Sequence, residues 1–406
     1  MSRRVAITGC GVVSAAGNDL ERFWSGLMAG TCRIGPLRGF SCTGMEGLLG
    51  SEVELLPEDA LPPEIDSDPY RSRCLHLALA ATRRAVAAAG LPADAAARER
   101  TGVSLGSTMA EERQVSDLDD RLAATGPDAI DAGFLARADN HRLAATLARI
   151  HGLGGPVLLS STACSSGNAA LATAYDLVAS GAAEAMVAGG ADTFTRAVFT
   201  GFLRLGALSK GICRPFDKRR DGVTFGEAAG MLVLEDLERA RRRGAPILAE
   251  VAGYGVSNDA YHITAPEPNG DGFARAMRQA LATTGIPQDE VDYVSAHGTG
   301  TPYNDLGETR AVKAVFGEGA RALAMSSIKS MLGHTNGAAS AVEAIACALA
   351  LVHQAVPPTA NLEEPDPECD LDYVPGVGRS ARVRTCLNLS AGFGGFNVCL
   401  VLRRAP

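Results

Sequence analysis

Four side chains in this sequence could do chemistry together: Cys164, His297, Lys329 and His334. Cys164 lies in GPVLLSSTACSSGNAALATAYDLVASG, residues 155–181. Before it, the apolar run from Pro156 to Ser160 reads as a buried strand. After it, the small-residue segment from about Asn168 to Ala179 reads as a helix stopped by Gly181. A thiol at that joint meets the positive end of a helix dipole, which favours the thiolate. The expectation is an exposed nucleophile on a rigid strand-turn-helix corner. A lone cysteine could equally be a small core hydrophobe, and nine others occur in the chain. The partners separate the two readings. His297 sits in SAHGTGTPYND (295–305), and His334 in SSIKSMLGHTNGAASAVEA (326–344), with Lys329 five residues before it. Both histidines follow short apolar runs and stand beside glycines, at strand ends, where open α/β sheets place their reacting groups. A structural histidine would sit inside a periodic apolar face instead.

The segments that must position these groups alternate between strand and helix patterns. Strands are expected at 3–13, 101–107, 184–192, 230–236, 247–256, 291–298 and 322–327, and in two closing runs joined by AGFGG (391–395). Helices are expected at 75–90, 141–152, 273–285, 307–317 and 336–354. This order predicts an α/β fold with largely buried sheets. The helices after Cys164 and after His334 are apolar all round, so both belong between layers. Two central helices suggest a five-layer α-β-α-β-α stack of two similar halves, 1–245 and 246–406, each contributing one strand, active loop and helix.

Composition excludes several classes. The chain has 406 residues, 46% apolar and 21% charged, enough for a large double core. A net charge of −8 and the lack of basic runs interleaved with aromatics argue against nucleic-acid binding. The basic cluster Arg239–Arg243 reads as the solvated end of a helix. Ten cysteines at irregular spacing, without CxxC, predict no zinc or other metal site and a reducing, cytoplasmic setting. Neither a signal peptide nor a transmembrane span is expected. TGCGVVS (8–14) imitates the start of a dinucleotide-binding loop, but Ser14 stands at the third glycine and no acidic residue closes a second strand.

Taken together, TACSSG around Cys164, HGTGTPYND at 297–305 and SIKSMLGH ending at His334 resemble the β-ketoacyl-acyl-carrier-protein synthases of the thiolase superfamily. RPFDKRRDG (214–222), GEAAG (226–230) and the terminal GFGG extend the resemblance over the whole chain. It implies a thiolase fold and an acyltransferase that joins a cysteine-bound acyl group to malonyl-carrier protein, driven by decarboxylation, in fatty-acid or polyketide/polyene synthesis. By that resemblance Cys164 carries the acyl group. The amides of Cys164 and Phe393 hold the oxyanion, and neutral His297 and His334 donate to the enolate oxygen. Two donors suit that task better than the single histidine of a hydrolase. Lys329 hydrogen-bonds within the site and steadies the His334 region, with Glu343 as its ion-pair partner. Thr299 and Thr301 hold a phosphopantetheine arm, which the carrier protein brings, so no bound cofactor is implied. Phe393 gates the acyl chain.

The chain departs from the family where Ala391 replaces an aromatic and Phe396 a small polar residue, and both are expected on the acyl pocket wall. The short link LSKGIC (208–213) resembles synthases of specialised polyene or polyketide pathways. An acidic acyl carrier protein would need a basic patch, with Arg71, Arg73, Arg204, Lys210, Lys218, Arg219 and Arg220 as candidates. The resemblance also implies a homodimer, or a heterodimer with a related subunit that sets chain length. A non-catalytic subunit would lack the cysteine. A thiolase would carry a second cysteine in its glycine loop, where this chain has Phe393.

Overall fold

Ten apolar runs form the strands of one sheet in the computed structural model, which describes residues 3–40, 45, 47–67, 71–127, 133 and 139–405. In chain order they are β1 (Val5–Ser14), β2 (Thr101–Gly106), β3 (Val157–Ser160), β4 (Ala185–Asp192) and β5 (Ala228–Asp236). The second five are β6 (Ala249–Asn258), β7 (Tyr293–Ser295), β8 (Ala324–Ser326), β9 (Thr385–Gly392) and β10 (Phe396–Arg403). The spatial order is β3-β2-β4-β5-β1 and then β6-β10-β9-β7-β8. Each five repeats one pattern, with parallel pairs at the outer end and antiparallel pairs towards the middle. The two fives meet where Val5–Ile7 pair with Ala249–Val251. The boundary expected at 245/246 lies in the link between β5 and β6.

Helices α1 (Arg73–Ala89) and α2 (His141–His151) cover the outer face of the first five strands. Helix α3 (Ser166–Ser180) follows Cys164, and α4 (Arg196–Arg204) follows β4. Helices α5 (Asp271–Thr284) and α6 (Pro302–Phe316) flank the second five, and α7 (Ala339–His353) follows His334. Helices α3 and α7 touch each other and strands of both halves, so they form the central layer of the five. Their composition explains this: thirteen residues of α7 are buried, on every face. By length and composition Asn336–His353 could cross a membrane, but 89% of it is buried inside the fold. Glycines 9 and 11 serve packing rather than phosphate binding. A Cβ on Gly11 would lie 2.0 Å from the Ala81 carbonyl of α1.

Several expectations need correction. β3 is an edge strand and only half-buried, because among the described residues nothing pairs with its outer side. β7 has three residues rather than eight, since the chain leaves the sheet at Ala296 to form the His297 loop. The Arg239–Arg243 cluster ends a helix with Arg241 and Arg242 exposed, as expected, but Arg239 and Arg243 close around the buried carboxylate of Glu235. Cys42 lies outside the described residues.

Candidate active site

Cys164 sits at the joint between β3 and α3, and local strain sets its aim. Ala163, just before it, holds a left-handed backbone (φ 52°), which an alanine keeps only when its surroundings fix it. The surroundings here are hydroxyls: Ser166 Oγ accepts from the Thr162 amide at 2.9 Å, and Ser165 Oγ donates to the Thr162 carbonyl at 2.7 Å. The thiol is buried, not exposed, at the floor of a cavity of about 260 Å³. Burial pushes the thiol up to about 12, while Lys329 pulls it down. The resting group is therefore a thiol that must lose its proton as it reacts, not the thiolate expected from the helix terminus alone.

His297 and His334 line the same cavity, their rings edge to face with centroids 5.5 Å apart. Burial, reinforced by the charge of Lys329, lowers both well below the usual imidazole range, so both are neutral. His334 Nδ1 accepts the Asn336 amide at 3.1 Å. That bond puts the proton on Nε2, which is buried and without a partner. His334, which lines the cavity, thus keeps one N–H donor without a partner among the described residues. His297 Nδ1 is likewise buried and unpartnered.

Lys329 starts the short turn Lys329–Leu332, wholly buried. Its ammonium pairs with Glu343 of α7 and donates to the His297 carbonyl at 2.6 Å. It therefore grips the His297 loop by hydrogen bond, and its charge adds to burial in acting on His334. The two carboxylates that hold these loops escaped the sequence reading. Glu308 on α6 accepts the His297 amide at 2.6 Å and the Gly298 amide at 2.9 Å. Asp192, at the end of β4, accepts the Gly337 amide beyond His334 at 2.6 Å. For Asp192 the available signal was an acidic residue in an otherwise small, apolar stretch, GGAD.

Gly392 crosses the nucleophile turn so closely that a Cβ there would stand 2.7 Å from Thr162 O and 3.2 Å from the Cys164 amide. Among the described residues, neither the Cys164 nor the Phe393 amide donates to another residue. Two free amides beside a buried thiol are what an oxyanion site requires. Phe393 lines the cavity and stacks on Phe202 of α4 (centroids 5.0 Å, 10°), a partner that sequence alone did not reveal. Thr299 and Thr301 line the mouth with hydroxyls 2.9 Å apart, and Ala391 lines the wall.

Phe396 does not join them. It starts β10 pointing outwards, 38% exposed, because strand alternation turns the next residue, Asn397, inwards to Asp259. The basic patch shrinks too. Arg220 is buried against Asp366, Arg73 is locked to Glu227, Arg219 is tied to Asp217 and Glu363, and Arg71 lies near Asp66. Arg204, Lys210 and Lys218 remain without ion pairs among the described residues.

A family model described as the N-terminal domain of β-ketoacyl synthase matches residues 2–240, and one for the C-terminal domain matches 248–363. The 3-oxoacyl-[acyl-carrier-protein] synthase 2 of Synechocystis sp. is 39% identical over 99% of this chain and 98% of its own. Among solved structures, the ishigamide ketosynthase/chain length factor is 40% identical over all of both chains, with a TM-score of 0.94. A type II PKS ketosynthase, bound to the hexaketide and in complex with its acyl-carrier protein, is 33% identical over all of both chains, with a TM-score of 0.92. With matches across both halves and a thiol, two imidazoles and two free amides around one cavity, the chain belongs to the β-ketoacyl synthase family.

Proposed function

We propose that this β-ketoacyl synthase extends an acyl chain by two carbons from malonyl-carrier protein, with Cys164, His297 and His334 as its catalytic residues. Cys164 Sγ attacks the carbonyl of a carrier-bound thioester. The new C–S bond forms, the carrier thiol leaves, and the cysteine proton passes to it. The amides of Cys164 and Phe393 hold the oxyanion. Malonyl thioester then enters past Thr299 and Thr301. Its carboxylate leaves as carbon dioxide, and the bonding pair becomes an enolate whose oxygen takes the N–H groups of His297 and His334. The enolate carbon attacks the acyl carbonyl, the Cys164 sulfur leaves, and the product is a β-ketoacyl thioester. The observation that carries this reading is the Asn336 amide on His334 Nδ1, which leaves a neutral imidazole with one free N–H on a residue that lines the same cavity as the thiol.

The partner at the mouth is an acidic acyl carrier protein. Arg204 and Lys210 flank the cavity-lining Leu205 and Ala207, and Leu205 and Tyr303 expose apolar surface there. The half-exposed edge strand β3 supports a second interface, with another copy of the chain or with a related chain-length-setting subunit such as the ishigamide ketosynthase has. The nine described cysteines are all free, which supports a reducing, cytoplasmic setting.

Intact-protein mass spectrometry after incubation with acyl-loaded carrier protein tests the reading. The expected mass gain is one acyl group on the wild-type chain and none on Cys164→Ala. Condensation surviving in that variant would refute the assignment.

A further inference from the structure

Asp192 is wholly buried at the end of β4 and is not among the residues that line the Cys164 cavity, yet five donors converge on its carboxylate. Oδ1 accepts from Ser107 Oγ at 2.7 Å, from the Met109 amide at 3.0 Å and from the Ala110 amide at 3.1 Å. Oδ2 accepts from the Thr108 amide at 2.7 Å and from the Gly337 amide at 2.6 Å. Four of the five come from one turn, 107–110, beyond β2. The fifth comes from the other half of the chain, 145 residues away. A group that accepts five bonds and donates none suits an ionised carboxylate and no other side chain of that size.

The Gly337 bond bears on catalysis. Asn336 holds a left-handed backbone (φ 51°), and its amide is the group that fixes the His334 tautomer. Two successive amides are therefore anchored, Asn336 on His334 Nδ1 and Gly337 on Asp192. The approach leaves no slack: a Cβ on Gly337 would lie 2.6 Å from the Thr108 amide and 2.7 Å from Asp192 Oδ2. On the other side, Met109 of the same turn packs against the cluster containing Phe225, whose ring lies 6.2 Å from that of His334.

We propose that Asp192 is a positioning residue for the decarboxylation step: by clamping Gly337 to the 107–110 turn it holds Asn336 where it keeps the His334 proton on Nε2. The inference rests on the role given to His334 above. Asp192→Asn sets an amide N–H2 against backbone N–H groups and releases at least one of them. Neither Asp192 nor Gly337 hydrogen-bonds Cys164, and losing the Asp192 charge would only ease the loss of the Cys164 proton, so the two half-reactions separate.

The test uses the full-length protein, with acyl-loaded carrier protein for Cys164 acylation and malonyl-loaded carrier protein for carbon dioxide release. In Asp192→Asn, decarboxylation should fall tenfold or more while acylation stays within threefold of wild type. Gly337→Ala, which pushes the same turn from the opposite side, should give the same split and decides the matter if the first variant does not fold. A proportional loss of both half-reactions, or no loss of either, would overturn the proposal. Wild-type protein that acylates but releases no carbon dioxide would instead overturn the role of His334.

Discussion

The ammonium of Lys329 donates to the main-chain carbonyl of His297, 2.6 Å away across 32 residues of sequence. One buried lysine thus fastens the loop of the first histidine to the turn that precedes the second. Its charge is met by Glu343, buried on the central helix α7. The same charge adds to burial in keeping a proton off both imidazoles. Lys329 therefore acts through the histidines, by geometry and by field, and does not line the reaction cavity.

Lys329→Ala should be costly to the fold. It strands the Glu343 carboxyl in a dry layer, and breaking a buried pair from one side costs about 3–5 kcal/mol. Denaturant melts should show that loss, and Glu343→Gln in the same background should recover part of it. Equal stability of wild type and single variant would contradict the arrangement.

Alkylation of Cys164 in the resting enzyme should speed up with pH. The thiolate is the reactive form, and burial raises this thiol to about 12. The thiolate fraction, and with it the rate with iodoacetamide, should therefore climb about tenfold per pH unit between about 7 and 10. A plateau below pH 8 would mean that the helix terminus dominates after all.

Removing either imidazole should separate the half-reactions. His334→Ala or His297→Ala should slow decarboxylation by about 10²–10³-fold, the effect of losing one preorganised donor, and slow acylation far less. Because both imidazoles resist protonation, wild-type decarboxylation should persist as the pH drops through 6.5, where an ordinary histidine would charge. The sign for stability is the same: below that pH the unfolded chain takes up protons that the folded site refuses, so acid destabilises the fold. Rate and melting profiles against pH check both.

Acyl selectivity should respond to residue 391 and not to residue 396. Ala391→Phe fills cavity wall and should shift the accepted chain towards shorter acyl groups. Phe396→Thr changes a side chain in solvent and should leave the chain-length profile unchanged. Competition assays with acyl-carrier mixtures distinguish the two.

The chemistry was legible in the sequence because it resides in residue types at strand ends. A cysteine between a strand and a small-residue helix, and histidines beside glycines, keep their local pattern whatever packs on them. The five layers were legible for a related reason: helices apolar on every face, such as α7, have only one place to go. Tertiary structure decided the rest. Glu308 and Asp192 look like ordinary acids in sequence, and only the fold brings unpaired amides from distant loops onto them. Arg220 and Arg73 look like surface cations until their carboxylates appear beside them. Phe396 and Phe393 share one short motif, but pleating sends one to solvent and the turn sends the other to the cavity. Most of all, the protonation of Cys164 follows from depth, which a local reading of the helix terminus does not contain. Sequence named the groups that react; burial and long-range hydrogen bonds, which depend on what the rest of the chain excludes from water, set their charge and aim.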